Sequence, residues 1–230
     1  MKDISEILDK KGVWVLEQSY FPKLFFNNAY DSLCHEHLTY FTMYQLNIML
    51  HKNCLKIFDI KLNEMNGGSI RFFISHENSG HVNNNRNIKK IKKIEKKYFG
   101  KLKINLRKFK KNIKKSKREL KNFVHKNKKE KKIIHLYGAS TKGNIILQYC
   151  KLTKKDIEFA ADRNNEKWGR ETPGSKIPII SETSSRIKKP NFYLVMPWHF
   201  KKEILKREKI FLKHGGKLVF PLPKLNIVSK

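Results

Sequence analysis

The residues best suited to chemistry are the imidazoles and the carboxylate of Cys34-His35-Glu36-His37. Histidine is the natural general base near neutral pH, and a neighbouring carboxylate can orient the ring or stabilise its cation. Two histidines spaced His-x-His could also bind a metal ion, but the sequence offers no evident third ligand. The remaining alternative is a pair of surface or helix-capping histidines without a catalytic role.

A second candidate is the loop Gly138–Gly143, Gly-Ala-Ser-Thr-Lys-Gly, between a predicted buried strand and a helix. Its backbone amides and the helix N-terminus would favour a phosphate group, and Lys142 adds a positive charge. Asp162 ends the next predicted strand, 24 residues after Gly138. That is close to the offset of about 20 residues of a ribose-binding acid. The pattern indicates a nucleotide or nucleotide-sugar site, with a plain tight turn as the alternative.

A third candidate is Trp198, which with His199 follows a later predicted strand. Open α/β sheets place their ligands at the carboxyl ends of the strands. Trp198 is therefore a candidate substrate contact, and a tryptophan that only packs against the core is the alternative.

Composition excludes several classes of protein. The chain has 230 residues, of which 39% are hydrophobic, enough for a core and too many for a disordered tail. No apolar run approaches the roughly 18 residues of a membrane span, and the N-terminus lacks a signal-peptide core. The cysteines Cys34, Cys54 and Cys150 are far apart, so neither a disulfide framework nor a thiolate zinc site is expected. We expect a cytoplasmic protein with no transmembrane segment and no bound metal.

The net charge of +31 is unevenly distributed. Residues 1–88 are neutral overall, whereas residues 89–131 carry 21 basic and 3 acidic side chains. Lysine outnumbers arginine 43 to 8, a bias that an AT-rich coding sequence would produce without selection. Nucleic-acid sites favour arginine, so a nucleic acid is not the expected partner.

The N-terminal part predicts an incomplete α/β domain that ends in a hairpin. Asn-Gly between two apolar runs is a strong hairpin signal, and Thr42 with Gln45 three residues later forms a capping box. The predicted elements are a helix ending at Gly12, a strand at 13–16, an irregular stretch at 29–41, a helix after Thr42, and strands at 55–63 and 69–75.

The C-terminal part predicts a small Rossmann-like sheet, because strands and helices alternate from residue 132. Between the two parts, residues 88–131 predict one or two amphipathic helices, with Gly100 as a possible break. Their lysine face is expected to be solvated, with an anionic membrane or nucleic-acid surface as the alternative. The fold class is α/β, and the predicted domains are 1–87, 88–131 and 132–230.

Taken together, these segments resemble the S-adenosylmethionine-dependent C-methyltransferases that act on nucleotide-linked keto-deoxysugars. The specific motifs are Tyr-Asp-x-x-x-His-Glu-His-Leu at 30–38 and Tyr-Gly-Ala-x-x-Lys-Gly-Asn at 137–144. The resemblance implies the late part of a Rossmann-like methyltransferase domain, followed by a second Rossmann-like domain that helps bind the nucleotide sugar. It also implies a role in deoxysugar biosynthesis.

The resemblance assigns roles by motif. His37 matches the catalytic base, which removes a proton beside the sugar ketone, and Glu36 matches its carboxylate neighbour. Many members have tyrosine where this chain has Cys34, and others have cysteine. The residues that fall in motifs near the substrate are Tyr30, Ser69, Arg71, Gly138, Lys142 and Asp162.

The sequence departs from the family at its start, where the zinc-binding cysteines and the glycine-rich strand–loop–helix for S-adenosylmethionine are not found. We expect an N-terminally truncated enzyme that keeps the substrate side of the site and needs a partner chain carrying the zinc and donor-binding parts. A fragment, half of a split gene and a retained sugar-binding piece all fit this pattern. The alternative is a non-catalytic module for nucleotide-sugar binding or assembly.

Overall fold

A computed structural model describes all 230 residues, which form two compact units. Unit 1 comprises residues 1–27 and 38–108, and unit 2 comprises residues 28–37 and 109–230. The chain therefore enters unit 2 twice, first for the short segment that carries the His-Glu-His motif. The two compact units divide the chain after residues 27, 37 and 108. They do not test the predicted domain boundaries at residues 87 and 131, which stay a prediction.

Unit 1 contains a three-stranded antiparallel sheet with the spatial order β1-β3-β2. Its strands are β1, Trp14–Ser19, β2, Leu55–Asn63, and β3, Ser69–His76. Its helices are α1, Lys2–Ile7, α2, Phe21–Phe26, α3, Met43–His51, and α4, Asn85–Phe99. A long helix, α5, Leu102–Lys129, contributes residues to both units.

The predicted hairpin and its core face are confirmed. β2 and β3 pair antiparallel, and Asn66 and Gly67 in the turn between them adopt positive φ angles of 54° and 89°. Alternate residues of β3, Ile70, Phe72 and Ile74, are fully buried in the core of unit 1. This follows from the period of two in a strand, which places every second side chain on the same face.

Helix α3 begins with two caps, of which the sequence predicted one. The hydroxyl of Thr42 accepts a hydrogen bond from the Gln45 amide at 3.4 Å, as expected. The second cap is the buried carboxylate of Glu95 in α4, which accepts bonds from the amides of Met43 at 2.7 Å and Tyr44 at 3.2 Å. Burial raises the pKa of Glu95, and these hydrogen bonds oppose the shift. A carboxylate at a helix N-terminus satisfies amides that have no partner within the helix.

Unit 2 is built on a six-stranded sheet with the spatial order β6-β5-β4-β7-β8-β9. The strands are β4, Ile134–Tyr137, β5, Phe159–Asp162, β6, Ile179–Ser181, β7, Phe192–Val195, β8, Lys217–Phe220, and β9, Asn226–Val228. The helices are α6, Thr141–Cys150, α7, Glu182–Ile187, α8, Lys201–Arg207, and α9, Lys209–Lys213. Short 3₁₀ turns occur at Tyr30–Ser32, Asn165–Lys167 and Trp198–Phe200.

The strand order confirms the predicted Rossmann-like α/β fold. All neighbours from β6 to β8 pair in parallel, and only β9 is antiparallel. The order reverses at β4, with β5 and β6 on one side and β7 and β8 on the other. Sheets of this kind bind ligands outside the carboxyl ends of the strands at such a reversal. Gly138 follows β4 and Pro197 follows β7 at this edge.

Several boundaries in unit 2 differ from the prediction. Helix α6 begins at Thr141 instead of residue 144, so Lys142 belongs to the first helical turn and not to a loop. The helix predicted up to His214 is divided at Glu208 into α8 and α9. The short elements β6, α7 and β9 were not predicted, because stretches of three to six residues carry too little periodicity to stand out.

The buried histidine of β4 makes the stability of unit 2 dependent on pH. His135 is fully buried, its Nδ1 lies 2.8 Å from the Ser185 hydroxyl, and its Nε2 lies 3.9 Å from the Glu158 carboxylate. Burial, assisted by the charge of Lys188, lowers the pKa of His135 from 6.5 to about 4. The unfolded chain therefore takes up the proton first as the pH falls. The stabilising contribution is complete above pH 6.5 and is lost between pH 6.5 and 4.

The wild-type chain is expected to lose unfolding free energy as the pH falls from 7 to 4.5. In His135→Phe this loss should be smaller by about 2–3 kcal/mol. Urea unfolding followed by circular dichroism at both pH values measures this difference. Carboxylates that titrate in the same range affect both proteins equally, so the difference isolates the histidine. Parallel pH profiles for the two proteins would show that His135 is not held neutral.

Candidate functional site

The turn after β4 is shaped by two glycines that no larger residue could replace without movement. Gly138 has a φ of 85°, and a Cβ there would lie 3.2 Å from Cδ of Pro197. At Gly143 a Cβ would lie 2.8 Å from Cβ of Met196, so α6 packs directly against the end of β7. Ser140 is the N-cap of α6, and its hydroxyl accepts a hydrogen bond from the Gly143 amide at 3.0 Å. The helix N-terminus is thus held at the reversal of the strand order.

Asp162 holds this turn in place through its own hydrogen bonds. One carboxylate oxygen accepts from the Ala139 amide at 2.7 Å, and the other accepts from the Asn164 amide at 2.9 Å. Lys167 donates to the Ala139 carbonyl at 2.9 Å and lies 3.4 Å from the same carboxylate. Both oxygens are therefore used to shape the turn, and a direct contact with a ribose stays a prediction.

A cavity of about 320 Å³ lies at the carboxyl ends of β4, β5 and β7. Gly138 and Asp162, which the sequence predicted as site residues, both line it. Two arginines also line it, Arg163 directly after β5 and Arg207 in α8. Sequence reasoning missed both of them, although the position of Arg163 immediately after a predicted strand was a usable signal. Arg207 forms an ion pair with Glu182, another lining residue.

The His-Glu-His segment belongs to the same unit as this edge of the sheet. Residues Cys34–His37 form a turn in which the His37 amide donates to the Cys34 carbonyl at 3.0 Å. The Glu36 carboxylate accepts a hydrogen bond from the Thr141 hydroxyl, the first residue of α6, at 3.1 Å. Glu36 and Thr141 are 105 positions apart in the chain, so only the tertiary structure brings them together. The bond of this carboxylate is made to α6 and not to an imidazole of its own motif.

Tyr30 and Trp198 are both buried in unit 2, at 3% and 7% exposure. The Tyr30 hydroxyl lies 4.0 Å from the sulfur of Cys150, and its ring meets Tyr149 edge-on. The Trp198 indole donates a hydrogen bond to the Asp31 carboxylate at 2.8 Å. These contacts match the packing alternative for Trp198, and a substrate contact by either ring stays a prediction.

Ser69 and Arg71 lie on β3 of unit 1 and are engaged by protein groups there. The Ser69 hydroxyl donates to the Met65 carbonyl at 3.0 Å, and Nε of Arg71 donates to the Glu17 carboxylate at 2.7 Å. Their proposed contact with substrate is a prediction that the geometry of unit 1 does not address.

No group of three or more histidine, cysteine, aspartate or glutamate side chains is arranged to hold a metal ion. No helix is both long enough and apolar enough to cross a membrane.

The parallel strands of the unit 2 sheet and the helix that follows β4 define a Rossmann-like α/β domain. Residues 64–223 match the family described as C-methyltransferase C-terminal domain, and the chain belongs to this family. It is also 29% identical over 229 residues to C-methyltransferase NovU of Streptomyces niveus. That alignment covers 100% of this chain and 54% of NovU, so the chain spans about half the length of this relative.

Proposed function

We propose that this chain binds a nucleotide-linked keto-deoxysugar and supplies the base for methylation at the carbon next to the ketone. The observation that carries the proposal is the hydrogen bond from Thr141 to Glu36. It joins the candidate acid–base motif to the first turn of the helix that would hold the diphosphate. Family membership and the alignment with NovU support C-methylation as the reaction class.

The binding half of the proposal rests on the carboxyl edge of the sheet. The first turn of α6 presents backbone amides and the positive end of a helix dipole, and Lys142 adds a full charge in the same turn. A diphosphate placed there would leave the nucleoside next to the cavity of about 320 Å³. Arg163 and Arg207 line that cavity and could contact the phosphates or the base.

The catalytic half assigns proton abstraction to His37. A hydrogen on the carbon beside a ketone is acidic because the electron pair left behind is delocalised onto the ketone oxygen. The His37 imidazole would accept this proton, and a fixed distance between base and carbon would supply much of the rate enhancement. Glu36 would hold the motif against α6 through Thr141 and add negative charge beside the imidazolium.

The methyl donor in this proposal is S-adenosylmethionine, and the residues of unit 1 do not fit it. Its sheet is antiparallel, and β1 passes into α2 through Tyr20, Phe21 and Pro22 without a glycine-rich turn. The strand–glycine–helix turn of unit 2 is assigned to the nucleotide sugar. We therefore propose that the donor is bound with residues outside these 230, such as a partner chain with zinc and donor-binding parts.

The binding half predicts that Lys142→Ala weakens binding of thymidine or uridine diphosphate by about 10- to 100-fold. This is the range for loss of one charge-assisted hydrogen bond of about 1.5–3 kcal/mol. Titration calorimetry at fixed salt measures the affinity. Lys132→Ala is the matched control, because it removes the same charge at the opposite end of β4. Equal affinity of Lys142→Ala and wild type would remove α6 from the nucleotide site.

A further inference from the structure

Asp31 is a charged side chain that the proposed mechanism does not use, and it is completely buried. Its Oδ2 accepts a hydrogen bond from the Trp198 indole at 2.8 Å, and the backbone amides of Asp31 and Ser32 also hydrogen-bond the carboxylate. Burial of a charged group is tolerated only where such hydrogen bonds replace the lost hydration. The position of Asp31 is therefore fixed by the groups around it.

The surroundings of Asp31 contain two other polar groups of the same edge. The positive charge of Lys142 acts on the Asp31 carboxylate and opposes the rise in its pKa that burial causes. The same lysine acts on His199, whose Nδ1 is buried without a partner and whose pKa is lowered to about 4, mainly by burial. The 3₁₀ turn Tyr30–Ser32 packs against α6, the helix that carries Lys142, and the Asp31 carboxylate is bonded to Trp198 after β7. Asp31 therefore lies between α6 and the end of β7.

The segment that carries Asp31 is attached to unit 2 along its length. Near its start, the Asn28 side chain donates to the Pro223 carbonyl at 3.5 Å. In its middle, Tyr30 packs against Tyr149 of α6 at a ring distance of 5.4 Å. At its end, Glu36 accepts the bond from Thr141. Among these contacts, the Asp31–Trp198 hydrogen bond joins two buried side chains, so water competes with it least.

We propose that Asp31 is a positioning residue that fixes residues 28–37 on the carboxyl ends of β4 and β7. In doing so it aligns the Glu36-His37 motif with the first turn of α6 and restrains Lys142 from the protein side. The nucleotide-binding turn and the proposed base are thereby held in a fixed position relative to each other within unit 2. The positioning itself is independent of the proposed function, and its importance for proton transfer rests on that function.

The first test measures the attachment of the segment directly. We expect Trp198→Phe and Asp31→Ala, which each remove one partner of the hydrogen bond, to accelerate backbone amide hydrogen exchange in residues 28–37 by about tenfold or more. Amides of β4 and β7 should keep their wild-type rates within about twofold. Tyr193→Phe is the matched control, because it also removes a buried hydrogen bond of unit 2, that to Ser185 at 2.8 Å. Equal exchange in residues 28–37 for Trp198→Phe and Tyr193→Phe would overturn the proposal.

The second test measures the coupling to Lys142, which a merely structural aspartate would not affect. In the wild-type background Lys142→Ala is expected to weaken thymidine diphosphate binding about 10- to 100-fold. In the Asp31→Asn background, Lys142→Ala should weaken thymidine diphosphate binding by about threefold or less, because the charge that holds the lysine in place is already gone. An unchanged cost in that background would contradict the restraint of Lys142 by Asp31.

The two ideas can fail separately. If Trp198→Phe loosens residues 28–37 while His37→Ala leaves proton exchange on the sugar intact, the positioning stands and the proposed base is wrong. If His37→Ala abolishes proton exchange while Trp198→Phe leaves residues 28–37 protected, the base stands and the positioning by Asp31 is wrong.

Discussion

His37→Ala is expected to lower proton exchange at the carbon next to the ketone of a nucleotide-linked keto-sugar by about two to four orders of magnitude, the usual cost of removing a general base. Incorporation of solvent deuterium at that carbon, followed by nuclear magnetic resonance, reports this step without a methyl donor. The affinity for thymidine diphosphate should be nearly unchanged, because the role of the base exists mainly in the transition state.

Two neighbours of His37 serve as controls. His35→Ala removes an imidazole from the same exposed turn and should leave proton exchange near the wild-type rate. Glu36→Gln should cost less than His37→Ala, because an amide oxygen can still accept the bond from Thr141. Exchange that survives His37→Ala at the wild-type rate would leave His35 or another group as the base. No exchange in the wild-type chain, together with tight nucleotide binding, would favour the non-catalytic nucleotide-sugar-binding module.

Glu208→Ala is expected to lower the unfolding free energy of the chain by about 3 kcal/mol, a change of more than a hundredfold in the folding equilibrium. The Glu208 carboxylate is 1% exposed and accepts bonds from the Tyr137 hydroxyl at 2.9 Å and from Arg186 at 2.8 and 2.9 Å. Its removal leaves the buried Tyr137 hydroxyl without its acceptor and the exposed Arg186 guanidinium without its ion-pair partner. The buried hydroxyl then carries the cost of its desolvation.

Glu203→Ala is the matched control for Glu208→Ala, since Glu203 is an exposed glutamate of α8, the helix that ends just before Glu208. It should change the unfolding free energy by no more than about 0.5 kcal/mol. Urea unfolding followed by tryptophan fluorescence measures both variants. If the two substitutions cost the same, the Glu208 network does not hold α8 and α9 to the sheet.

Much of each unit follows from patterns within a few residues. The Asn-Gly turn predicted the hairpin, and Thr42 and Gln45 predicted the start of α3, because backbone conformation and capping depend on neighbours in the chain. The alternation of strands and helices predicted the Rossmann-like sheet and placed Gly138 and Asp162 at its carboxyl edge. The same residues, read as motifs, indicated the family to which the chain belongs.

Proximity in space is what the sequence could not supply. The predicted domains 1–87 and 132–230 put His37 and the candidate phosphate-binding turn in different domains, yet Glu36 and Thr141 are hydrogen-bonded across 105 positions. Asp31 and Trp198 are joined across 167 positions, and Glu95 caps a helix that begins 52 positions earlier.

Asp162 was predicted to contact a ribose, which stays a prediction, and only the folded structure shows that its two oxygens also accept hydrogen bonds from the Ala139 and Asn164 amides. The physical reason is common to these cases. A buried polar group forms a hydrogen bond with whichever partner the packing of distant segments brings within reach. The sequence around that group does not show which partner it will be. Sequence alone therefore determined the elements and the chemical groups of the site, and only the tertiary structure decided which of those groups meet.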